Sequence, residues 1–172
     1  MHRVDERIYL RALTHDDLDR VLIWHNDAKL YSTLGGHFRF VSRETETEWF
    51  DRITQAKDQV NLAICLSEPD AHIGNIYLRN IDWISRNCEL HAFIADPKHR
   101  GKGYGSAAVR QIIKYAFEDL GLVRIYLQVL ANNSAAVAMY EKCGFFTEGR
   151  LKRHTLKAGA FEDVLVMGIC RE

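Results

Sequence analysis

With 172 residues, 47% hydrophobic and 27% charged, the chain can build one substantial core but is too short for two ordinary domains, and its composition excludes a disordered class. Lys plus Arg and Asp plus Glu balance at 23 each, so no global field attracts nucleic acid or an anionic membrane, and neither is an expected partner. No apolar run approaches the ~20 residues that cross a bilayer. The N-terminal segment carries no apolar stretch of the kind a signal peptide needs. Cys65, Cys88, Cys143 and Cys170 are scattered, a spacing that fits neither a zinc site nor a disulfide framework. Buried free thiols in a reducing cytoplasm, with no metal, are the expectation.

In chain order, residues 8–13 read as a first strand, followed by Thr14-His15-Asp16-Asp17, a capping-box pattern that opens a helix bearing Leu18, Val21, Leu22 and His25 on one face. Gly35-Gly36 marks a loop, and Ser42 is placed to cap a second helix over 43–56. Strands are expected at 61–66, 73–79 and 88–95, the last ended by Asp96-Pro97. A helix over 104–119, closed by Gly121, and a β-branched strand over 123–130 complete a strand–helix–strand crossover. The two strands of that unit should be parallel and the connection right-handed. A short helix, 134–142, stops at Gly144, and strands at 147–156 and 161–170 form a final hairpin. No repeat or linker interrupts the pattern, so 1–172 reads as a single domain.

The crossover helix opens on Arg100-Gly101-Lys102-Gly103-Tyr104-Gly105-Ser106. Glycines let a ligand approach backbone N–H groups closely, and the first helical turn leaves donors unpaired at the positive end of the macrodipole. With Lys98, Arg100 and Lys102 nearby, the segment is suited to a phosphate or pyrophosphate. It is not a Walker loop, and Ser106 stands where a dinucleotide fingerprint needs its third glycine.

On these residues the chain resembles the GNAT superfamily of N-acetyltransferases. The family signature of Gln or Arg, two residues, Gly, one residue, then Gly or Ala is matched by Arg100 to Gly105, and a second family segment is matched from Asn133 through Tyr140 to Gly144-Phe145. The opening, 8–27, is similar to the branch holding ribosomal-protein N-terminal, spermidine and nucleotide-amino-sugar acetyltransferases. The resemblance implies an α/β fold, a mixed sheet splayed at its centre with helices on both faces. It also implies acetyl-CoA as cosubstrate. The pantetheine arm would pair with the backbone near Phe93, Ile94 and Ala95, and the pyrophosphate would rest on the amides of Gly101, Lys102, Gly103, Tyr104, Gly105 and Ser106.

Acetyl transfer requires an amine stripped of its proton, a donor for the developing oxyanion and a proton for the leaving thiolate. Tyr140 matches the family's tyrosine and is the expected proton donor. Asn133 is positioned either to bond the pantetheine arm or to cap the following helix. Glu89 is the expected base, because strand alternation sets Glu89, His91 and Phe93 on one face, provided no bulge breaks the parity. His91, Asp96 and His154 are the fallback bases. The acceptor is expected to be a small amine, an amino sugar or a polyamine, walled by 31–40, Tyr77, Trp83 and the final hairpin. A stripe of Glu44, Glu48 and Asp51 offers one way to attract a polyamine. The alternatives are acetylation of a protein N-terminus and a non-catalytic CoA sensor. Exposed edge strands point to a homodimer.

Overall fold

A computed structural model describes residues 5–171. Seven strands form one sheet in the order β1-β2-β3-β4-β5-β7-β6. The elements run β1 (Ile8–Ala12), α1 (Leu18–His25), α2 (Ala28–Tyr31), α3 (Arg43–Gln55), β2 (Val60–Leu66), β3 (Ala71–Asp82) and β4 (Asn87–Ile94), then α4 (Tyr104–Lys114), β5 (Arg124–Leu130), α5 (Ser134–Lys142), β6 (Phe146–Lys157) and β7 (Ala160–Cys170). The expected strands and long helices are all present within a few residues. The short α2 was not expected, and α4 passes into a π-helical turn over Tyr115–Asp119 instead of remaining α-helical to its end.

Alternation along the strands divides the core in two. Ile64, Ile76, Leu78, Cys88 and Leu90 face α4, whose Ala107, Ala108, Val109 and Ile112 are fully buried against them. The small side chains of this helix let it approach the sheet closely, and burying Val109 and Ile112 stabilises by roughly 1.5–3 kcal/mol each. Ala63, Cys65 and Tyr77 point the other way, packing with Leu18 and Val21 of α1 and Phe50 and Ile53 of α3. Helices therefore cover both faces. Of the four cysteines, Cys65, Cys88 and Cys143 are buried and free, whereas Cys170 is exposed, correcting the expectation of four buried thiols. Among the described residues no helix is long and apolar enough to cross a membrane.

The centre of the sheet carries the feature that makes a site. The parallel ladder between β4 and β5 runs only over Asn87↔Arg124, Cys88↔Ile125 and Glu89↔Tyr126. Beyond Glu89 the strands part, while β4 stays paired with β3 from Arg79↔Glu89 to Gly74↔Ile94. Gly74 permits this: a Cβ there would lie 2.1 Å from the Phe93 carbonyl oxygen, so only glycine admits β4 at that distance. The irregularity in this ladder falls on β3, where Asn80 (φ +51°) and Ile81 stand opposite a single residue of β4. Strand β4 keeps its parity, and Glu89, His91 and Phe93 share a face.

Candidate active site

Two cavities open beside the splay. One, of about 640 Å3, lies between β4 and the α4 and α5 helices and includes Phe93, Ile94, Arg100, Gly103, Ser106 and Met139 among its lining residues. The other, of about 400 Å3, lies on the α1 side and includes His25, Tyr31, Tyr77, Arg79, Glu89 and His154. Thr33, Leu34, Phe93, Asn133, Ala136 and Tyr140 border both. A ligand in either cavity therefore meets the same few side chains where the two join.

The first cavity is built from backbone. Gly101 and Gly103 adopt φ +71° and +84°, the left-handed region that a Cβ disfavours, and Gly103 is the N-cap of α4. At this end the Ala107 N–H donates to the Gly103 carbonyl at 3.0 Å. The N–H groups of the preceding turn have no partner within the helix. The cations behave differently from expectation. Arg100 does not present its charge to the loop: its Nε donates to the Ile94 carbonyl at 2.9 Å and Nη2 to the Ala95 carbonyl at 2.8 Å, bracing the end of β4. Lys98 pairs with Asp96 at 2.9 Å. Lys102 is the one of the three whose side chain has no hydrogen-bond or ionic partner among the described residues. Arg7, which no motif singles out, reaches the loop, donating to the Lys102 carbonyl at 3.3 Å and standing 5.4 Å from the Tyr104 ring centre.

Ala95 departs from its implied role. Its N–H is donated to the Ile73 carbonyl at 2.9 Å and its carbonyl accepts from Arg100, so Ala95 has no donor left for pantetheine. Neither Ala95 nor the Lys102 and Tyr104 side chains line the cleft, whereas Phe93, Ile94, Arg100, Gly101, Gly103, Gly105 and Ser106 do. Asn133 has both ends of its amide engaged. Its Oδ1 caps α5 by accepting from Ala136 N–H at 3.2 Å, and its Nδ2 donates to the Thr33 carbonyl at 3.2 Å. The capping alternative is thus what the side chain does here, and it also ties down the loop between the cavities. The left-handed glycine cradle and the open splay fit a diphosphate-bearing thioester such as acetyl-CoA.

At the junction Tyr140 is 7% exposed, and burial pushes its phenol up to about 12. Its ring meets Phe145 edge-on at 5.7 Å, which fixes its orientation. In the second cavity the Glu89 side chain is mostly buried; its Oε1 lies 3.4 Å from His91 Nε2 and its Oε2 accepts from Asn80 at 3.2 Å. The hydrogen bond from His91 holds the carboxyl below the usual glutamate range; burial opposes this, and the charges of His91 and Arg79 assist. Of the fallback bases, His91 and His154 line the cavity. Asp96 does not, since it caps the 97–99 turn and pairs with Lys98.

The acceptor walls are partly as expected. Tyr31, Gly35, Gly36, His37, Tyr77 and the hairpin residues His154, Thr155 and Val164 line the cavity. Trp83 instead sits on the β3–β4 turn, bonding the Lys57 carbonyl at 3.2 Å, and Phe40 is 90% exposed. The stripe of Glu44, Glu48 and Asp51 faces solvent, with Asp51 held by His15 at 2.9 Å. The inward carboxylate of α3 is Glu46, 1% exposed and bonded to His25 Nδ1 at 2.8 Å. Its sequence signal was a glutamate in phase with Phe50 and Ile53, the buried side of the helix. One edge of the cavity is fastened by Lys157, whose Nζ donates to the Tyr31 carbonyl at 2.9 Å and to the Gly36 carbonyl.

Comparison with known proteins agrees with this geometry. A family model described as an acetyltransferase (GNAT) domain matches residues 7–146. The chain is 39% identical over 97 residues to a spermidine N(1)-acetyltransferase of Vibrio cholerae, a stretch that spans 56% of each protein. It is 30% identical over 173 residues to a putative ribosomal N-acetyltransferase, YdaF, of Bacillus subtilis, covering 98% of this chain and 94% of that one. A crystal structure of spermidine N-acetyltransferase from Vibrio cholerae in complex with CoA and spermine superposes with a TM-score of 0.90 at 28% identity, covering 96% of both chains. A dodecameric form of that enzyme superposes at 0.84 with 27% identity, covering 96% and 95%.

Proposed function

This chain belongs to the GNAT acetyltransferase family, and from that premise we propose that it carries the acetyl group of acetyl-CoA to the primary amine of a small molecule, a polyamine foremost. The observation that carries the reading is the meeting of a glycine-cradled cleft and a carboxylate-bearing cavity at Tyr140 and Phe93. A thioester in the first and an amine in the second then face each other without solvent between them.

In this reading the amides of Gly101 to Ser106 hold the diphosphate, and Phe93 and Ile94 on the splayed edge of β4 hold the pantetheine arm. Glu89 receives the acceptor's ammonium. Because its own acidity is increased, it acts less as a strong base than as the anchor from which the ammonium proton passes, directly or through His91, to solvent. Tyr140 stays protonated through the whole neutral range and supplies the proton that the departing CoA thiolate takes up.

Protein N-terminal acetylation is the second reading, favoured by the match to the Bacillus subtilis protein. The Lys157 tether, which closes the cavity edge that an extended peptide would have to leave by, supports the small acceptor over it. Self-association belongs to the same proposal: β1 and β6 are the outer strands, a homodimer is the simplest product of their pairing, and the Vibrio cholerae enzyme has a dodecameric form. The free buried thiols support a reducing, cytoplasmic setting. Thiol release from acetyl-CoA, measured against spermidine, spermine, an amino sugar and a peptide with a free N-terminus, tests the acceptor. Release with the peptide alone replaces the first reading with the second.

A further inference from the structure

The acceptor cavity has a second anionic feature behind its α1 wall, where His25 lines it. Glu46 is 1% exposed, and of its two carboxylate oxygens only Oε2 has a partner, His25 Nδ1 at 2.8 Å; Oε1 is buried without one. A buried carboxylate with a single hydrogen bond is costly unless a cation stands near. Among the described residues no Lys or Arg pairs with it. Because an ionised carboxylate can only accept, Nδ1 carries the shared hydrogen, and in the neutral imidazole Nε2, on the far edge of the ring, is left as the acceptor. The ring is held by edge contacts with Trp49 at 5.2 Å and Tyr31 at 6.3 Å, and it lines the cavity. The charge of Glu46 is felt there: burial first, and then Glu46, push the Tyr31 phenol above its ordinary value.

We propose that His25 Nε2, with Glu46 behind it, receives a second ammonium group of the acceptor while the reacting amine sits at Glu89. With the imidazole neutral, Glu46 supplies the counter-charge for an ammonium at Nε2, which imidazole alone would not. The Arg79 guanidinium lies 4.7 Å over the Tyr77 ring, across the β3–β4 pair from Glu89, whose charge it partly offsets, and the Tyr31 phenol feels it as well. A second ammonium therefore needs a counter-charge of its own, which Glu46 supplies behind His25. His37, His91 and His154 are the cavity's other titratable cations. His25 is then a binding residue and Glu46 a positioning residue, and together they select di- and polyamines over monoamines. The inference rests on the small-amine reading above and narrows it.

The test is steady-state kinetics with spermidine and with hexylamine, a monoamine of similar reach, on the wild type and on Glu46→Gln. The expected result is a spermidine KM raised about tenfold, the loss of one charge-assisted hydrogen bond. Its kcat should stay within about twofold, and hexylamine kinetics and CoA binding by calorimetry should not change. A merely structural role would move both amines and the melting temperature together, and that outcome overturns the proposal, as does an unchanged spermidine KM. Should Glu46→Gln fail to fold, His25→Gln, at the half-open cavity wall, is read by the same split. A wild type that uses hexylamine as well as spermidine also overturns it while leaving the acetyltransferase intact. No thiol release with any amine would instead remove the functional reading beneath it.

Discussion

The two cavities that meet at Tyr140 are made of different materials. The cofactor side is backbone: glycines in left-handed conformations, the first turn of α4, and the free edge of β4 where its ladder with β5 stops. The acceptor side is side chains, brought from α1, α2 and the loop after it, β3, β4, β5, α5, β6 and β7. Backbone donors have one geometry and serve a ligand part that never varies, so they demand a fixed local spacing of glycines. Side chains from so many elements are free to change one at a time. The first side therefore reads as a family mark and the second as an individual one.

Substitutions of the groups that handle the reaction's protons should have the largest effects. Glu89→Gln removes the carboxylate that anchors the acceptor ammonium and passes on its proton, and should lower kcat by ~10²–10⁴-fold. Acetyl-CoA affinity, measured by calorimetry, should not change, because Glu89 lines only the acceptor cavity. Parallel losses in turnover and CoA binding would show that the two cavities are not separable. The pH profile carries the same information. A base's rate limb falls as pH drops through its pKa, and the Glu89 carboxyl is held below the 4.5 of a free glutamate. Any limb seen near neutrality thus does not belong to Glu89.

Tyr140→Phe should lower kcat by about a hundredfold with unchanged binding of CoA. A donor's limb appears as pH rises through its pKa, and burial sets Tyr140 at about 12. The wild-type rate should therefore show no loss from this group up to pH ~10. A tyrosine-dependent fall near pH 8 would sink the assignment.

The contrast also explains what the sequence could and could not disclose. Arg100 to Ser106 and Asn133 to Tyr140 are contiguous, and the periodic strands and helices around them were visible in the pattern of apolar residues. The fold and the cofactor cleft followed from local rules. Asn133 and Arg100 were recognisable as motif residues, and the cap that Asn133 places on α5 is local, yet its bond to the Thr33 carbonyl depends on a partner far along the chain and the bracing of β4 by Arg100 on the loop's return path. Glu46 escaped notice because Glu44, Glu48 and Asp51 made the more obvious carboxylate stripe. Only the packing of α3 on α1 shows that the stripe faces water and that the isolated glutamate faces inward. Lys157 lies in a turn signal, and nothing local indicates that it reaches Tyr31 and Gly36.

Gly103→Ala should separate the sides from the cofactor direction. With φ +84° the alanine costs roughly 1–2 kcal/mol or moves the loop. Its Cβ would stand 3.6 Å from Arg7 Nη2, an ordinary contact, so strain and not collision is the cause. We expect the Kd for CoA to rise about tenfold while spermidine KM at saturating acetyl-CoA stays constant. A change confined to spermidine would place the cradle on the wrong ligand.

Lys157→Met separates them from the acceptor direction and should have the smallest effect. Burial pulls the Lys157 ammonium below the ordinary lysine range, yet its two carbonyl partners hold it against the loop that forms the cavity edge. Methionine keeps the length and apolar stem and removes the donors. The loop then loses one anchor but keeps the other, Asn133 to the Thr33 carbonyl. With half of the tether in place, the acceptor KM should rise only about threefold, the low end of what a lost hydrogen bond costs. The CoA Kd should be unchanged. Acceptance of a peptide N-terminus by this variant, absent in the wild type, would show that the tether itself decides acceptor size. If CoA binding weakened instead, the loop would belong to the cofactor side, and the division between a backbone half and a side-chain half would fail at a segment that borders both cavities.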